Sequence, residues 1–276
     1  MQRSQSRSPD SMNELEAVAA AVASSKKYRS VCQDTIQRIA ASELAHRGSI
    51  KGATKATKRR LHQVYGAFEE GLDYDRAMED LEIAYRSGTD GDIKAACLQA
   101  LAGHSSTRER IPILDGFYGR ISEIAGCPGS ILDLGCGLNP LALPWMRLGP
   151  APRYSALDID AQRIRFLNRY LALAGLEQRA RCQDILAKAP EDEADLALLL
   201  KMSPTLERQA EGSTLRLLRR LNAPFVAVSF ALKSLGGRDK GMPDHYGQQF
   251  LDLVENQNWE VQKLVFENEL VFVVGK

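Results

Sequence analysis

The sequence predicts an α/β fold, a mostly parallel sheet wound by helices on both faces, preceded by an all-helical amino-terminal domain. Three features carry that expectation. From Ser130 onward, apolar runs of strand length alternate with helix-period segments, the pattern of strands joined by crossover helices. The first of those runs passes through two glycines to a proline, so a strand turns sharply and enters a helix. Ahead of it, residues 13–108 carry helix-period patterning alone. With 276 residues, 44% apolar and 26% charged, the chain has material for one large or two smaller cores.

Residues 13–23 (Asn-Glu-Leu-Glu-Ala-Val-Ala-Ala-Ala-Val-Ala) have high helix propensity, with Asn13 as cap and Glu14 and Glu16 at the positive end of the dipole. A second helix is expected over 33–47, where Val31, Ile36, Ile39, Ala40 and Leu44 share one side and Gly48 stands just past the end. A third, over 54–68, sets Lys55, Lys58, Arg59 and His62 near one another, opposite Leu61, Val64, Tyr65 and Phe68. Two more, over 73–86 and 90–102, flank the Ser87-Gly-Thr-Asp-Gly91 turn. His104-Ser-Ser-Thr-Arg108-Glu-Arg110 then leads into the sheet. Arg110 is able to fork to a carboxylate ligand, although a surface ion pair is the simpler reading of that residue alone. The expected division is a disordered tail over 1–12, a helical domain over 13–108 and a sheet domain over 109–276.

In the second part, 131–134 reads as a buried strand, followed by the glycine turn and a helix over 140–148. The next strand, Tyr154-Ser-Ala-Leu-Asp158-Ile-Asp160, ends in acid. A long helix over 161–174 leads to Arg179-Ala-Arg-Cys-Gln-Asp184-Ile185, again acidic at its end. Ala194-Asp-Leu-Ala-Leu-Leu-Leu200 is the most strand-like run and belongs at the sheet centre, where both faces are covered. A helix over 213–221 precedes Phe225-Val-Ala-Val-Ser-Phe230. The closing runs, Glu260-Val-Gln-Lys-Leu-Val-Phe and Glu269-Leu-Val-Phe-Val-Val, meet near Asn268 across a link too short for anything but antiparallel pairing. Ligands of such sheets sit at the carboxyl ends of the strands, where Gly135, Asp158, Asp184 and Leu200 fall.

The stretch Ser130-Ile-Leu-Asp-Leu-Gly-Cys-Gly-Leu-Asn-Pro140 suits a nucleotide-like cofactor. A dinucleotide fingerprint ends on a glycine or alanine where this chain has Pro140. Asp133, two residues before Gly135, instead suits a cofactor with a cationic aminoacyl end and no phosphate, which describes S-adenosylmethionine. Asp158 follows Gly135 by 23 residues, a spacing at which a carboxylate takes ribose hydroxyls. The alternative is a ligand-free glycine turn with Asp158 as a helix cap. An antiparallel last strand is, by fold-level analogy, the habit of methyltransferases rather than dehydrogenases.

A net charge of +1 conceals an asymmetry, +7 over residues 1–62 and −6 over the remainder. The cationic first part fits a polyanion partner or, equally on charge alone, a solvated helical surface. The segment Ala231-Leu-Lys233-Ser-Leu-Gly236-Gly237-Arg238-Asp-Lys240-Gly241-Met242 sets three cations among glycines at the expected mouth, which suits phosphate contact over a merely solvated loop. There is neither an apolar signal core at the start nor a run of 18 uncharged apolar residues, so a cytoplasmic location without membrane association is expected. Five cysteines form no C-x-x-C pair and four histidines no ligand spacing, so reduced thiols and no metal are expected. A monomer is expected, since no coiled-coil seam or broad exposed apolar stripe is present.

Methyl transfer from a sulfonium is an in-line displacement, in which the catalyst chiefly holds two reactants in attack geometry. No Asn/Asp-Pro-Pro-Tyr/Phe follows the fourth strand to hold an exocyclic amine, no Pro-Cys offers attack on a pyrimidine, and Cys136 reads as buried filler. The residues favour a target needing no strong base, such as guanine N7, and no catalytic acid or base is assigned.

Tyr28-Arg29, Lys58-Arg59-Arg60-Leu61-His62-Gln63-Val64-Tyr65-Gly66-Ala67-Phe68, the His104–Arg110 stretch, Gly135-Cys-Gly-Leu-Asn-Pro140, Leu199-Leu200-Lys201, the 233–242 loop and Glu269-Leu together resemble one family. It is the aminoglycoside-resistance 16S ribosomal RNA (guanine-N7) methyltransferases of the Arm, Rmt and Sgm type, matched from about Lys26 onward. The resemblance implies a class I S-adenosylmethionine-dependent methyltransferase, Rossmann-like, with a mostly parallel seven-stranded sheet and an antiparallel last strand. It implies methylation of guanine 1405 at N7 in the decoding site of the assembled 30S subunit, with resistance to gentamicin and kanamycin as the result.

Carried over by motif, the resemblance implies cofactor contacts at Phe68, His104, Ser105, Ser106, Arg110, Gly135, Asp158, Asp184, Ile185, Leu200 and Gln209. On the RNA side it implies Lys201, Lys233, Arg238 and Lys240, to which Lys26, Lys27, Arg29, Lys55, Lys58, Arg59 and Arg60 add a basic clamp. Ala231 stands where relatives often have proline and Ser203 where leucine is common, both expected beside the target pocket. Two other readings stay open, a methyltransferase for another RNA or a small molecule and an RNA-binding relative without turnover.

Overall fold

A computed structural model describes residues 9–68, 71–232 and 243–276. Residues 1–8 of the expected tail, and Lys233, Arg238 and Lys240, lie outside them. Helix α1 (Pro9–Ala23) starts four residues ahead of Asn13, so the last part of that tail is helical. A proline fits the first helical position because its missing N–H has no intrahelical partner there. Helix α2 (Gln33–Arg47) ends as expected on Gly48, whose φ of +62° forms a left-handed cap over the Leu44 carbonyl. Helix α3 (Ile50–Leu61) begins earlier than expected, at a Ser49 side chain that accepts from Gly52 N–H. It does not run on to Phe68 but widens at His62–Gly66 into a π turn. The wider turn shifts the phase of the residues after it. Val22, Ile36, Leu61 and Tyr65 pack into a small core between these three helices.

Helices α4 (Tyr74–Ser87) and α5 (Asp90–Leu101), capped by Asp73 and Thr89, do not join that core. Their Met78, Leu81, Cys97 and Leu101 share a core with Ile131, Tyr154 and Leu196 of the sheet. The expected 108/109 boundary therefore marks no break in packing. Helices α6 (Ser105–Arg110) and α7 (Leu114–Ala125) complete the approach to the sheet.

The strands are β1 (Ser130–Leu134), β2 (Arg153–Asp158), β3 (Ala180–Cys182), β4 (Leu196–Leu200), β5 (Phe225–Ala231), β6 (Glu260–Val265) and β7 (Glu269–Gly275). They lie in the order β3-β2-β1-β4-β5-β7-β6. Pairing is parallel from β3 to β5, and β7 runs antiparallel to both β5 and β6. All five residues of β4 are buried, in keeping with its central place. Helices α4, α5, α7 and α8 (Ala161–Leu173) cover one face. The other is covered by α9 (Ser203–Gln209), α10 (Ser213–Arg220) and α11 (Pro243–Val254).

Helices α6, α7, α9 and α11 have no counterpart among the expected elements. The helix expected over 140–148 is instead a 3-10 helix, Asn139–Trp145, with Pro144 inside it. Proline there has no N–H to give and crowds the preceding turn, so a regular α-helix cannot form. The expectation of five reduced thiols also fails, because Cys32 and Cys182, with Cα atoms 6.2 Å apart, form a disulfide. Local spacing cannot reveal a pair 150 residues apart. Among the described residues, no helix is long and apolar enough to cross a membrane, and no group of His, Cys, Asp and Glu is arranged to hold a metal.

Candidate active site

A cavity of about 510 Å³ opens at the carboxyl ends of β1, β2, β4 and β5, with α2 and the segment 63–68 forming its opposite wall. Its floor depends on two glycines in the left-handed region, Gly135 at φ +62° and Gly137 at φ +52°. A Cβ on Gly135 would stand 2.7 Å from Met202 Sδ, and one on Gly137 3.0 Å from the His104 ring. The Asp158 carboxylate pins the turn, Oδ2 accepting from Gly137 N–H at 2.9 Å and Oδ1 from Asp160 N–H and from Arg163 at 2.8 Å.

Nine residues with implied cofactor roles line this cavity: Phe68, His104, Ser106, Gly135, Asp158, Asp184, Ile185, Leu200 and Gln209. Ser105 and Arg110 do not. Ser105 is buried just behind, and its N–H donates to the Phe68 carbonyl at 3.2 Å, tying Phe68 to α6. The Phe68 and His104 rings stack with centroids 6.2 Å apart. Burial first, then the charges of Arg163, Lys201 and Arg110, hold the His104 imidazole well below its ordinary pKa, so it is neutral near pH 7.

Arg110 is held in a buried ion pair. Its Nε and one terminal nitrogen fork to Glu269, the shortest contact 2.8 Å, and its other terminal nitrogen reaches Asn139 Oδ1 at 2.9 Å. Arg110 is 2% exposed and stands behind the cavity lining. The ion pair that the residue alone favours is thus present, but buried rather than at the surface. Asp133 is likewise engaged internally. It lies beneath the glycine turn, outside the cavity lining, and accepts from Tyr154 at 2.7 Å and Asn139 at 2.9 Å.

Burial pushes Asp133 up to about 6, against the pull of the Asn139 and Tyr154 hydrogen bonds and of Arg110. Because its folded pKa exceeds the unfolded one, its contribution to stability is complete below about pH 4 and is lost as pH rises through about 6. Asp133→Asn, which cannot titrate, is expected to gain about 2–3 kcal/mol relative to the parent between pH 4 and pH 7. Urea unfolding of both proteins at the two pH values measures it. A constant difference across that range would refute the assignment.

Lys201 lines the cavity from β4's end, at an unusual positive φ of +59° for a residue with a side chain. Its Nζ donates to the Ser106 carbonyl at 3.0 Å and to Glu109 at 2.9 Å, and stands 3.4 Å from Glu269. The exposed cations lie elsewhere: Lys26, Lys27, Arg29, Lys55 and Arg59 face solvent on the helical bundle. Lys58 and Arg60 are half-buried, and Arg60 turns towards the Arg208 carbonyl and Glu43. Ala231 lines the cavity, whereas Ser203 is buried outside it, 3.0 Å from the Thr214 hydroxyl.

Arg38, Glu109 and Met202 are among the cavity residues that the sequence reading did not assign. Arg38 on α2 donates to Asp184 at 2.9 Å and to Gln209 at 2.8 Å. Glu109 and Met202 join Lys201 and the glycine turn respectively. Arg38 has no local signal, since its partners lie 146 and 171 residues away. Glu109 lies inside the His104–Arg110 motif, which is the signal that could have found it.

The model of the ribosomal RNA methyltransferase (FmrO) family matches residues 24–273. A 16S rRNA (guanine(1405)-N(7))-methyltransferase of Micromonospora echinospora is 38% identical over 265 residues, 95% of this chain and 97% of the relative. One from Frankia casuarinae is 39% identical over 266 residues, 95% of this chain and 94% of the relative. The crystal structure of the 16S rRNA methyltransferase RmtF in complex with S-adenosyl-L-homocysteine superposes with a TM-score of 0.80 at 33% identity, covering 98% of this chain and all of that one.

Proposed function

The chain belongs to the ribosomal RNA methyltransferase (FmrO) family, and on that premise we propose that it transfers a methyl group from S-adenosylmethionine to N7 of guanine 1405 in 16S rRNA. It is an enzyme of the class I methyltransferase fold, and its substrate is the decoding site of the assembled 30S subunit, which it meets as a cytoplasmic monomer. The observation that carries this reading is the cavity at the strand ends, walled on one side by the glycine turn and on the other by a helical bundle with exposed cations.

The residues fit the cofactor. A cavity of this size accommodates a nucleoside-sized ligand. Gly135 and Gly137, where a Cβ would crowd Met202 and the His104 ring, let the turn close tightly along the cavity, and the buried Nδ1 of His104 has no partner among the described residues. Asp158 is suited to ribose hydroxyls, shared with its internal donors, and Asp184, Ile185, Leu200 and Gln209 to the adenine end. S-adenosylmethionine, when bound, supplies an electrophilic methyl on its sulfonium. Guanine N7 has a lone pair free, so no side chain must remove a proton and the protein contributes placement. A neutral His104 adds no positive charge against the sulfonium. Lys201, anchored by Ser106 and Glu109, offers a fixed cation to the RNA side. A base can reach this depth only by leaving its stack.

Expression in a susceptible bacterium is expected to raise resistance to gentamicin and kanamycin while sparing streptomycin. Unchanged sensitivity with folded protein present refutes the proposal. Labelled methyl transfer to purified 30S, compared with protein-free RNA and small acceptors, separates this substrate from the other methyltransferase readings. Lys55→Glu with Arg59→Glu is expected to weaken 30S binding by roughly 10- to 100-fold and to reduce its salt slope by roughly 1.5, with cofactor affinity intact.

A further inference from the structure

Cys32 and Cys182 meet outside the cavity lining, next to Gln183 and Asp184 of its wall, where the helical bundle touches the sheet. Cys32 precedes α2, and its backbone N–H donates to the Ile159 carbonyl at 2.7 Å, while Val31 bridges Asp160. Cys182 ends β3, level with Asp158 of β2 and two residues before Asp184. One turn into α2, Arg38 grips Asp184. The sulfur pair and the ion pair thus tie the same helix to the same sheet edge, beside the ends of β2 and β3. Cys182 is exposed and Cys32 is 9% exposed, so a reagent in solution meets Cys182 first.

We propose that Cys32 and Cys182 are a reversible modification site, a cross-link closed by a small-molecule disulfide and opened by a dithiol, which locks α2 against β3. The Cys182 thiolate attacks one sulfur of the oxidant and expels one thiol, forming a mixed disulfide. The Cys32 thiolate then attacks the Cys182 sulfur and expels the second thiol. Two protein thiols lose two electrons and two protons, and the oxidant's S–S bond is reduced to two thiols. Methyl transfer neither makes nor consumes this bond, so the site is independent of the reaction proposed above. The bond closes a loop of 150 residues across the seam between bundle and sheet, so it restrains the opening of that seam.

The test uses the full chain, incubated with oxidised glutathione or with dithiothreitol, then digested without reduction for mass spectrometry and compared by deuterium exchange. The oxidised sample is expected to yield a Cys32–Cys182 linked peptide, with the exposed Cys127 taking glutathione as an internal control. Exchange in the first turn of α2 is expected to slow by roughly tenfold on oxidation. Cys182→Ser should abolish that redox dependence, and Cys32→Ala provides the same test from the other partner. Glutathione adducts on Cys182 without the linked peptide, exchange at α2 that reduction does not change, or redox dependence surviving in both variants would each overturn the proposal.

Discussion

Replacing Glu269 with alanine is expected to cost about 3–5 kcal/mol of folding stability at pH 7. Glu269 is wholly buried, accepts the Arg110 fork and the Ser229 hydroxyl at 2.6 Å, and stands 3.4 Å from Lys201. Burial by itself would push this carboxyl up, yet Arg110 and Lys201 hold it below its ordinary value. Without it, Arg110 loses its bidentate partner and keeps a hydrogen bond to Asn139 and the weaker pull of Asp133 in the same buried site. Its folded pKa lies below the unfolded one, so the contribution is present above about pH 4.5 and lost as pH falls through the folded value. The penalty of Glu269→Ala should therefore shrink in acid. Urea unfolding measures both effects, and Glu269→Gln, which keeps the volume and an acceptor, should lose less. A loss under about 1 kcal/mol at pH 7 would mean that the pair contributes no more than an exposed one.

Asp158→Ala is expected to weaken binding of S-adenosylhomocysteine about 100-fold, or about 3 kcal/mol. The carboxylate holds Gly137 N–H, Asp160 N–H and Arg163 at once, so its loss frees the glycine turn and leaves Arg163 facing Asp160 at 3.9 Å. The proposed ribose contact disappears with it. Asp158→Asn retains the shape and should fall between the two. Calorimetry gives the affinities, and thermal unfolding of each variant establishes that the fold persists. Affinity within about threefold of the parent would remove Asp158 from the site.

Much of this was readable in the amino-acid order. Apolar runs such as Phe225–Ala231 and the short link near Asn268 pointed to the parallel sheet and its antiparallel close. The Gly135 and Gly137 turn pointed to the cavity, because positive φ and close approach are demands that glycine meets locally. Elements whose signal is weak or mixed were less legible. The 139–145 segment has helical promise that Pro144 spoils, α9 is short, and the π turn after Leu61 leaves no mark on the apolar period. Arg110, Asp133 and Lys201 were recognised as chemically able residues, but their internal partners were not legible: Glu269 for the first, Tyr154 for the second and Glu109 for the third.

What the sequence determined by itself is the order of the strands and of most helices between them, the glycine turn and the family, since periodicity, caps and φ preferences act over a few residues. Tertiary structure alone decided the partners: Arg110 with Glu269 across 159 positions, Arg38 with Asp184 across 146 and Cys32 with Cys182 across 150. Burial removes water as a competitor, so a buried charge must take the nearest opposite charge, and which one is nearest is settled only when distant strands and helices pack together.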